Sequence, residues 1–210
     1  MLRWAVASLA VNLIDGLSSS KWVVQHRGSE SSPSPRSGAT ATTDGSGRVL
    51  LFGGYEEASD GRRRVVNDLW AFKDNVWTLL DAGGPTGVCP GPRLCSASFV
   101  DGGELVVCGG WDPQESGTGG VILDDVWMWD ISGSSGWKKC SDPMPQGPKS
   151  RHAACAVGST AVVHTFRSHD NVLVWEPSTK TFREQFASGE VPSSRGLHVA
   201  APVVTSSGAP

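Results

Sequence analysis

The chain has 210 residues, 19% of them charged, with 18 Lys and Arg against 21 Asp and Glu. That length is enough to bury a sizeable core, and a net charge of −3 excludes a general binder of phosphate backbones, which needs a strongly basic face. No apolar run reaches the roughly 20 residues of a membrane helix, so neither nucleic acid nor membrane is an expected partner.

Residues 1–11 open as a short apolar stretch that reads either as a signal peptide, with Arg3 ahead of it, or as a strand. Asn12 and Asp15 cut the stretch early and favour the strand. With Trp22-Val23-Val24, the stretch from Ala10 to Asp15 looks like the second half of a repeating unit. The first whole unit starts at Arg36. Ala39-Thr40-Ala41-Thr42 leads to Val49-Leu50-Leu51-Phe52-Gly53-Gly54, then a polar loop, then Asn67-Asp68-Leu69-Trp70-Ala71-Phe72 and Trp77.

The second unit starts at Arg93 and repeats each landmark in order. Ser96-Ala97-Ser98-Phe99 leads to Leu105-Val106-Val107-Cys108-Gly109-Gly110, then a loop, then Asp124-Asp125-Val126-Trp127 and Trp137, offset by 56 to 60 positions. A third unit is read from Arg151, with His164-Thr165 where the glycine doublet belongs, Asn171 to Glu176 as its next run, and Phe182 in place of the closing Trp. A fourth opens at Arg195. Each unit holds four short β-favouring runs bounded by Gly, Pro, Asp and Ser, and no window shows a helical period. Four strands per recurring unit describe the blades of a β-propeller. The doublet is expected to end the second strand where blades crowd the axis. The fourth-strand Trp is expected to pack between blades.

The doublets with Asp68-Leu69-Trp70, Trp77, Asp125-Val126-Trp127 and Trp137 resemble the kelch repeat family. The resemblance implies an all-β, kelch-type propeller of four-stranded antiparallel blades: a half blade over residues 1–35, blades over 36–92, 93–150 and 151–194, and the start of another over 195–210. Kelch-like rings usually hold six or seven blades. Three whole blades with partial ones at both ends describe either a four-bladed ring with one composite blade or a piece of a longer ring. An open arc exposes strand edges and apolar blade faces, so marginal stability, or completion of the ring by another chain, is expected.

Kelch-like propellers commonly act as scaffolds or adaptors, which makes a protein-interaction module the expected function. The loops joining second and third strands share a face with the blade-to-blade connections, and loops on a rigid scaffold carry binding. On that face stand Tyr55 and Trp111, directly after their doublets, as candidate anchors. Arg62, in the run Arg62-Arg63-Arg64, is a candidate contact for an acidic partner, with Glu56, Glu57 and Asp60 close enough to compensate it. By resemblance, Arg36, Arg93, Arg151 and Arg195 can ring a pocket and grip carboxylates, since a guanidinium fork suits them; alternatively each ties one blade to the next. Asp68 and Asp125 are expected to accept backbone N–H groups.

The competing reading is a fragment of a propeller enzyme, galactose oxidase-like or of a specifier or sugar-isomerising type. The copper chemistry of galactose oxidase takes two Tyr and two His, and Tyr55 is the chain's one tyrosine. No cluster of catalytic residues stands out, so no enzyme activity, cofactor or metal is expected. His152 and His198 fall at first-strand positions and read as blade packing; His164 and His169 lie five apart, a weak metal signal. Five Cys, without a C-x-x-C pair, point to a reduced, cytoplasmic setting rather than a secreted one.

Overall fold

The short apolar runs pair as antiparallel meanders. The structure, a computed structural model, describes residues 6–10, 21–26, 31–57, 61–85, 87–114, 119–166, 171–190 and 193–201, and contains strands and no helix among them. β1 (Val6–Ala10) and β2 (Lys21–His26) form a two-stranded hairpin. Blade 1 comprises β3 (Arg36–Ser37) and β4 (Thr40–Thr43), both paired with β5 (Val49–Glu57), followed by β6 (Arg63–Lys73) and β7 (Val76–Asp81). Blade 2 runs β8 (Ala97–Asp101), β9 (Glu104–Asp112), β10 (Val121–Asp130), β11 (Trp137–Lys139). Blade 3 runs β12 (Ala153–Val157), β13 (Thr160–His164), β14 (Asn171–Glu176), β15 (Thr181–Phe186). β4 packs on β8 and β8 on β12, so the first strands line up side by side as in a propeller, without closing a ring. The hairpin of β1 and β2 shares no sheet with residues 193–201, so no composite blade forms among the described residues.

The core lies between blades. Because side chains alternate along a strand, β9 sends Leu105 and Val107 to one side and Val106 and Cys108 to the other, which is why its run is apolar throughout. Leu105 and Val107 join Trp129 against Leu50, Phe52, Leu69 and Ala71 of blade 1. Val106 and Cys108 join Phe99 and Met128 against Ala161, Val163, Leu173 and Trp175 of blade 3. The closing aromatics seal these layers. Trp137 meets Phe52 of blade 1 edge-on at 5.3 Å, and Phe182 meets Phe99 of blade 2 at 6.1 Å. Trp77 departs from the expectation and stacks within its own sheet on Phe72, at 4.9 Å.

The glycine doublets do not end their strands. β5 and β9 run through them, and each doublet sits at a register shift that bends the strand. Gly53 and Gly109 have φ of 66° and 58°, Gly54 and Gly110 of 105° and 112°. The bend brings the next blade's lead-in against the doublet: Gly54 N–H donates to the Arg93 carbonyl at 2.9 Å, and Gly110 N–H to the Lys149 carbonyl at 2.8 Å. A Cβ on Gly53 would stand 2.7 Å from the Arg93 carbonyl oxygen, and one on Gly109 2.6 Å from that of Lys149. Only glycine fits both the dihedral and the distance.

Two further bonds recur at each junction. The lead-in amide donates to the preceding blade's third-strand side, Arg93 N–H to the Val66 carbonyl at 3.3 Å and Lys149 N–H to that of Leu123 at 2.9 Å. Two residues on, Cys95 N–H donates to Gly38 O, Arg151 N–H to Cys95 O and Leu197 N–H to Arg151 O, at 2.7, 2.9 and 2.9 Å. Those four residues share left-handed dihedrals, with φ of 65°, 56°, 57° and 59°.

This bonding corrects the reading of the third unit by two residues. Arg151 matches Gly38 and Cys95, whereas Lys149 matches Arg36 and Arg93. The doublet position moves too: His164 pairs with Ala153 as Cys108 pairs with Ala97, so Thr165-Phe166, not His164-Thr165, stand at the doublet.

Gly109→Ala therefore loses about 2–4 kcal/mol of stability, because the methyl meets backbone rather than a flexible side chain. Gly102→Ala, with φ of 54° but open space around it, loses only the roughly 1 kcal/mol of its dihedral. Urea denaturation of the two variants beside the parent measures the difference.

Candidate functional site

The residues singled out from the sequence gather at one end of the blades. The lead-in pairs with the end of the second strand, Ser37 with Tyr55 and Arg36 with Glu56, and Leu94 bridges Trp111. The loops after β5 and β9 thus share an end with the lead-ins. Residues 58–60 and 115–118 of those loops, Asp60 among them, lie outside the described residues.

Arg36 and Arg93 occupy equivalent, inward-turned positions. The Arg36 guanidinium donates to both Asp68 oxygens at 2.5 and 3.0 Å and to the Gly53 carbonyl at 3.1 Å. The Arg93 guanidinium donates to both Asp125 oxygens at 2.5 and 3.0 Å and to the Gly109 carbonyl at 3.1 Å. The same carboxylates accept the indole N–H of the Trp two residues on, Trp70 at 2.6 Å and Trp127 at 2.7 Å. Asp68 and Asp125 thus take guanidinium and indole donors rather than the backbone N–H groups expected from their sequence. Burial alone would raise the Asp125 carboxyl, but Arg93 and Trp127 hold it below the usual carboxylate range. Arg93 is 1% exposed, so its fork faces the protein, not solvent. Each arginine ties its lead-in to its own blade through the side chain, and at Arg93 the backbone also ties that lead-in to the blade before.

The lead-in cation also braces its own turn. Arg36, Arg93 and Arg195 Nε and Lys149 Nζ each donate to the carbonyl two residues earlier, at 3.2, 3.0, 2.9 and 2.7 Å. In blade 3 the acid is missing. The pairing of Leu173 with Val163 puts Asn171 where Asp125 stands, and Asn171 donates instead to Glu184 at 2.6 Å. Lys149, fully buried, turns to the Pro145 and Gly147 carbonyls.

Arg151 is different. It is exposed, forms no ion pair among the described residues, and its guanidinium lies 5.8 Å from the centre of the half-buried Trp111 ring. Gly120 lies close against the same indole: a Cβ on it would stand 2.4 Å from Trp111 Nε1. Tyr55 is half-buried at the equivalent place in blade 1. Beside it a polar cavity of about 210 Å³ is lined by Glu56, Arg64, Asn67 and Asp68. Of the triple arginine, Arg62 is exposed, Arg63 pairs with Glu57 at 3.1 Å and Arg64 with Glu56 at 2.6 Å. The two blades are linked here, since Gln114 accepts the Val65 N–H at 2.6 Å.

Two groups went unread in the sequence. Glu56 is buried and gathers Ser34, Arg36 and Arg64, although it looked like loop compensation. Lys149 was masked by the neighbouring Arg151; the signal that locates it is the 56-residue offset between doublets, which carries Arg93 onto position 149. The five thiols are unpaired and all raised by desolvation, Cys108 to about 12, which is the opposite of an activated nucleophile. His169 lies outside the described residues. No described group of three or more His, Cys, Asp or Glu is placed to hold a metal ion.

Comparison with known proteins follows the same lines. A family model described as the KLHDC2/KLHL20/DRC7 Kelch-repeats domain matches residues 11–207. An F-box/kelch-repeat protein of Arabidopsis thaliana is 31% identical over 159 residues, 64% of this chain and 31% of the relative. A Rho GTPase-activating protein of Dictyostelium discoideum, gacHH, is 32% identical over 100 residues, 46% of this chain and 6% of that protein. The chain thus spans under a third of these relatives' lengths. Among solved structures, YjhT superposes with a TM-score of 0.66 at 17% identity, over 91% of this chain and 61% of that one.

The two buried ion pairs differ in what remains when the acid is lost. Asp125→Ala strands Arg93 in the interior and costs about 3–5 kcal/mol. Asp68→Ala leaves Arg36 the Glu56 carboxylate, 3.4 Å away, and costs roughly 1–2 kcal/mol. Thermal unfolding of both variants checks the order; an equal loss contradicts it.

Proposed function

The chain belongs to the kelch-repeat family, and from that premise we propose that it is a protein-interaction module that takes an acidic segment of its partner on the loop end of the blades. The supporting observation is the exposed Arg151 guanidinium over Trp111. It is a cation without a carboxylate beside a half-buried aromatic against which Gly120 lies close. A partner carboxylate gains a charge-assisted fork there without displacing an internal partner. Arg36 and Arg93 serve the same site from beneath, as rigid braces of the lead-ins whose own forks are filled. Tyr55 and Arg62, at the same end of blade 1, extend the surface along the partner. An adaptor role in the cytoplasm, with further blades supplied by another chain, completes the proposal; YjhT, of which this chain covers 61%, carries more of the same fold.

An array of acidic and neutral peptides, probed with the protein at low and at physiological salt, tests the reading. Acidic peptides are retained, lose affinity as salt rises, and bind Arg151→Ala or Trp111→Ala at least about tenfold more weakly, the worth of one charge-assisted bond. Retention that ignores both substitutions, by variants with unaltered thermal unfolding, overturns it.

A further inference from the structure

The segment 193–201 is attached to blade 3 by few contacts. Leu197 N–H donates to the Arg151 carbonyl, Gly196 lies against the Arg151 side chain, and the His198 ring meets the His164 ring of β13. The flanking apolar side chains do not anchor it: Leu197 is 74% exposed and Val199 93% exposed, although Ala97 and Ala153, which stand at the Val199 position in blades 2 and 3, are buried. Leu197 also holds a left-handed φ of 59°, a dihedral that costs a branched residue about 1 kcal/mol. A strained, exposed segment needs its remaining contacts.

Its side-chain contact is a nitrogen-to-nitrogen bond. His164 Nδ1 and His198 Nε2 stand 3.0 Å apart, with the rings edge to face at 83°. One nitrogen supplies a proton and the other a lone pair, so the bond exists while at least one ring is neutral. A first proton is accommodated within the pair; a second sets two N–H groups and two positive rings against each other. The surroundings offer no relief. The charged groups that act on His164 are His198 and Arg195. Just ahead of β12, His152 feels Lys149 and His198 in the same sense. Arg151 lies along Gly196. The neighbouring strand β14 pairs with β13 through the apolar Leu173 and Val174, and the acid beyond it, Glu184 of β15, is engaged by Gln146 and Asn171.

The geometry points to an acid-sensitive latch: the His164–His198 contact holds residues 193–201 on blade 3 at neutral pH, and protonation of both rings releases the segment while the blades stay folded. Burial and then the neighbouring cations hold His164 below the ordinary imidazole value of 6.5. A histidine depressed in the folded state favours the attached form above 6.5, and that preference fades as pH falls towards the folded value. His152, pushed down to about 4 by burial, stays neutral at pH 5 and does not trigger the release.

The test is amide exchange followed by NMR at pH 7.5 and pH 5.0, with protection factors corrected for intrinsic rates. Arg151 N–H, which makes the same bond one blade earlier, is the internal control. Expected is a loss of protection at Leu197 of at least about tenfold at pH 5.0, with Arg151 unchanged. His198→Gln and His164→Gln, neutral at both pH values, remove that difference. Equal loss at Arg151 and Leu197 overturns the latch, because it reports general unfolding. Protection at Leu197 that survives at pH 5.0 in the parent overturns it as well, as does loss at Leu197 that persists in both Gln variants.

Discussion

A glycine N–H that meets the carbonyl of the next lead-in sets the spacing of everything else in this protein. The doublets accept left-handed and more extended positive φ in succession, so the second strand bends without breaking, and the bend leaves a gap that only a backbone fills. Once Gly54 and Gly110 hold the Arg93 and Lys149 carbonyls, the next first strand is delivered beside the previous one, and the two faces of β9 become the walls of two apolar layers. Packing then supplies the magnitude. Each buried aromatic removes roughly 150–250 Å² from water, about 4–6 kcal/mol gross. That outweighs the roughly 1–3 kcal/mol of the unpartnered indole N–H groups at Trp129 and Trp137.

The ionic contacts are secondary in energy and primary in placement. A buried guanidinium–carboxylate pair returns little net stability over an apolar substitute. What Arg36–Asp68 and Arg93–Asp125 provide is orientation: five donors per arginine are shared among a carboxylate, the first-doublet carbonyl and the lead-in's own turn. Blade 3 dispenses with the arrangement. With Asn171 for the acid and Lys149 for the arginine, its lead-in cation turns to the Pro145 and Gly147 carbonyls, and Arg151, two residues on, faces outward over Trp111.

Fold and repeat were legible because they rest on period and glycine. Leu105 to Cys108 alternate between two walls, the doublets mark each junction, and Trp137 and Phe182 seal it, all in sequence order. The third unit was harder for a physical reason. Its landmarks are bonded through backbone, and backbone bonds leave no residue type behind: φ of 56–65° is shared by Gly38, Cys95, Arg151 and Leu197, four unlike side chains. Lys149 carries the bonds of the lead-in position, and Arg151, two residues on, carries the arginine that marks that position in blades 1 and 2. The candidate site was half legible. Tyr55 and Trp111 were placed by their doublets, but whether a lead-in arginine turns inward depends on its place in the junction bonding, and Arg151 stands at the Gly38 and Cys95 position, two residues beyond the one that faces the acid.

Native-state hydrogen exchange at the Gly54 and Gly110 amides tests the central claim most directly. If these bonds set the blade spacing, both amides exchange only through global unfolding, with the same free energy as the core amides of Leu50 and Val106. Exchange of the two glycine amides at about 2 kcal/mol or more below that value, with the strands still protected, would show that the blades hold their positions without the doublet contact and would contradict the account.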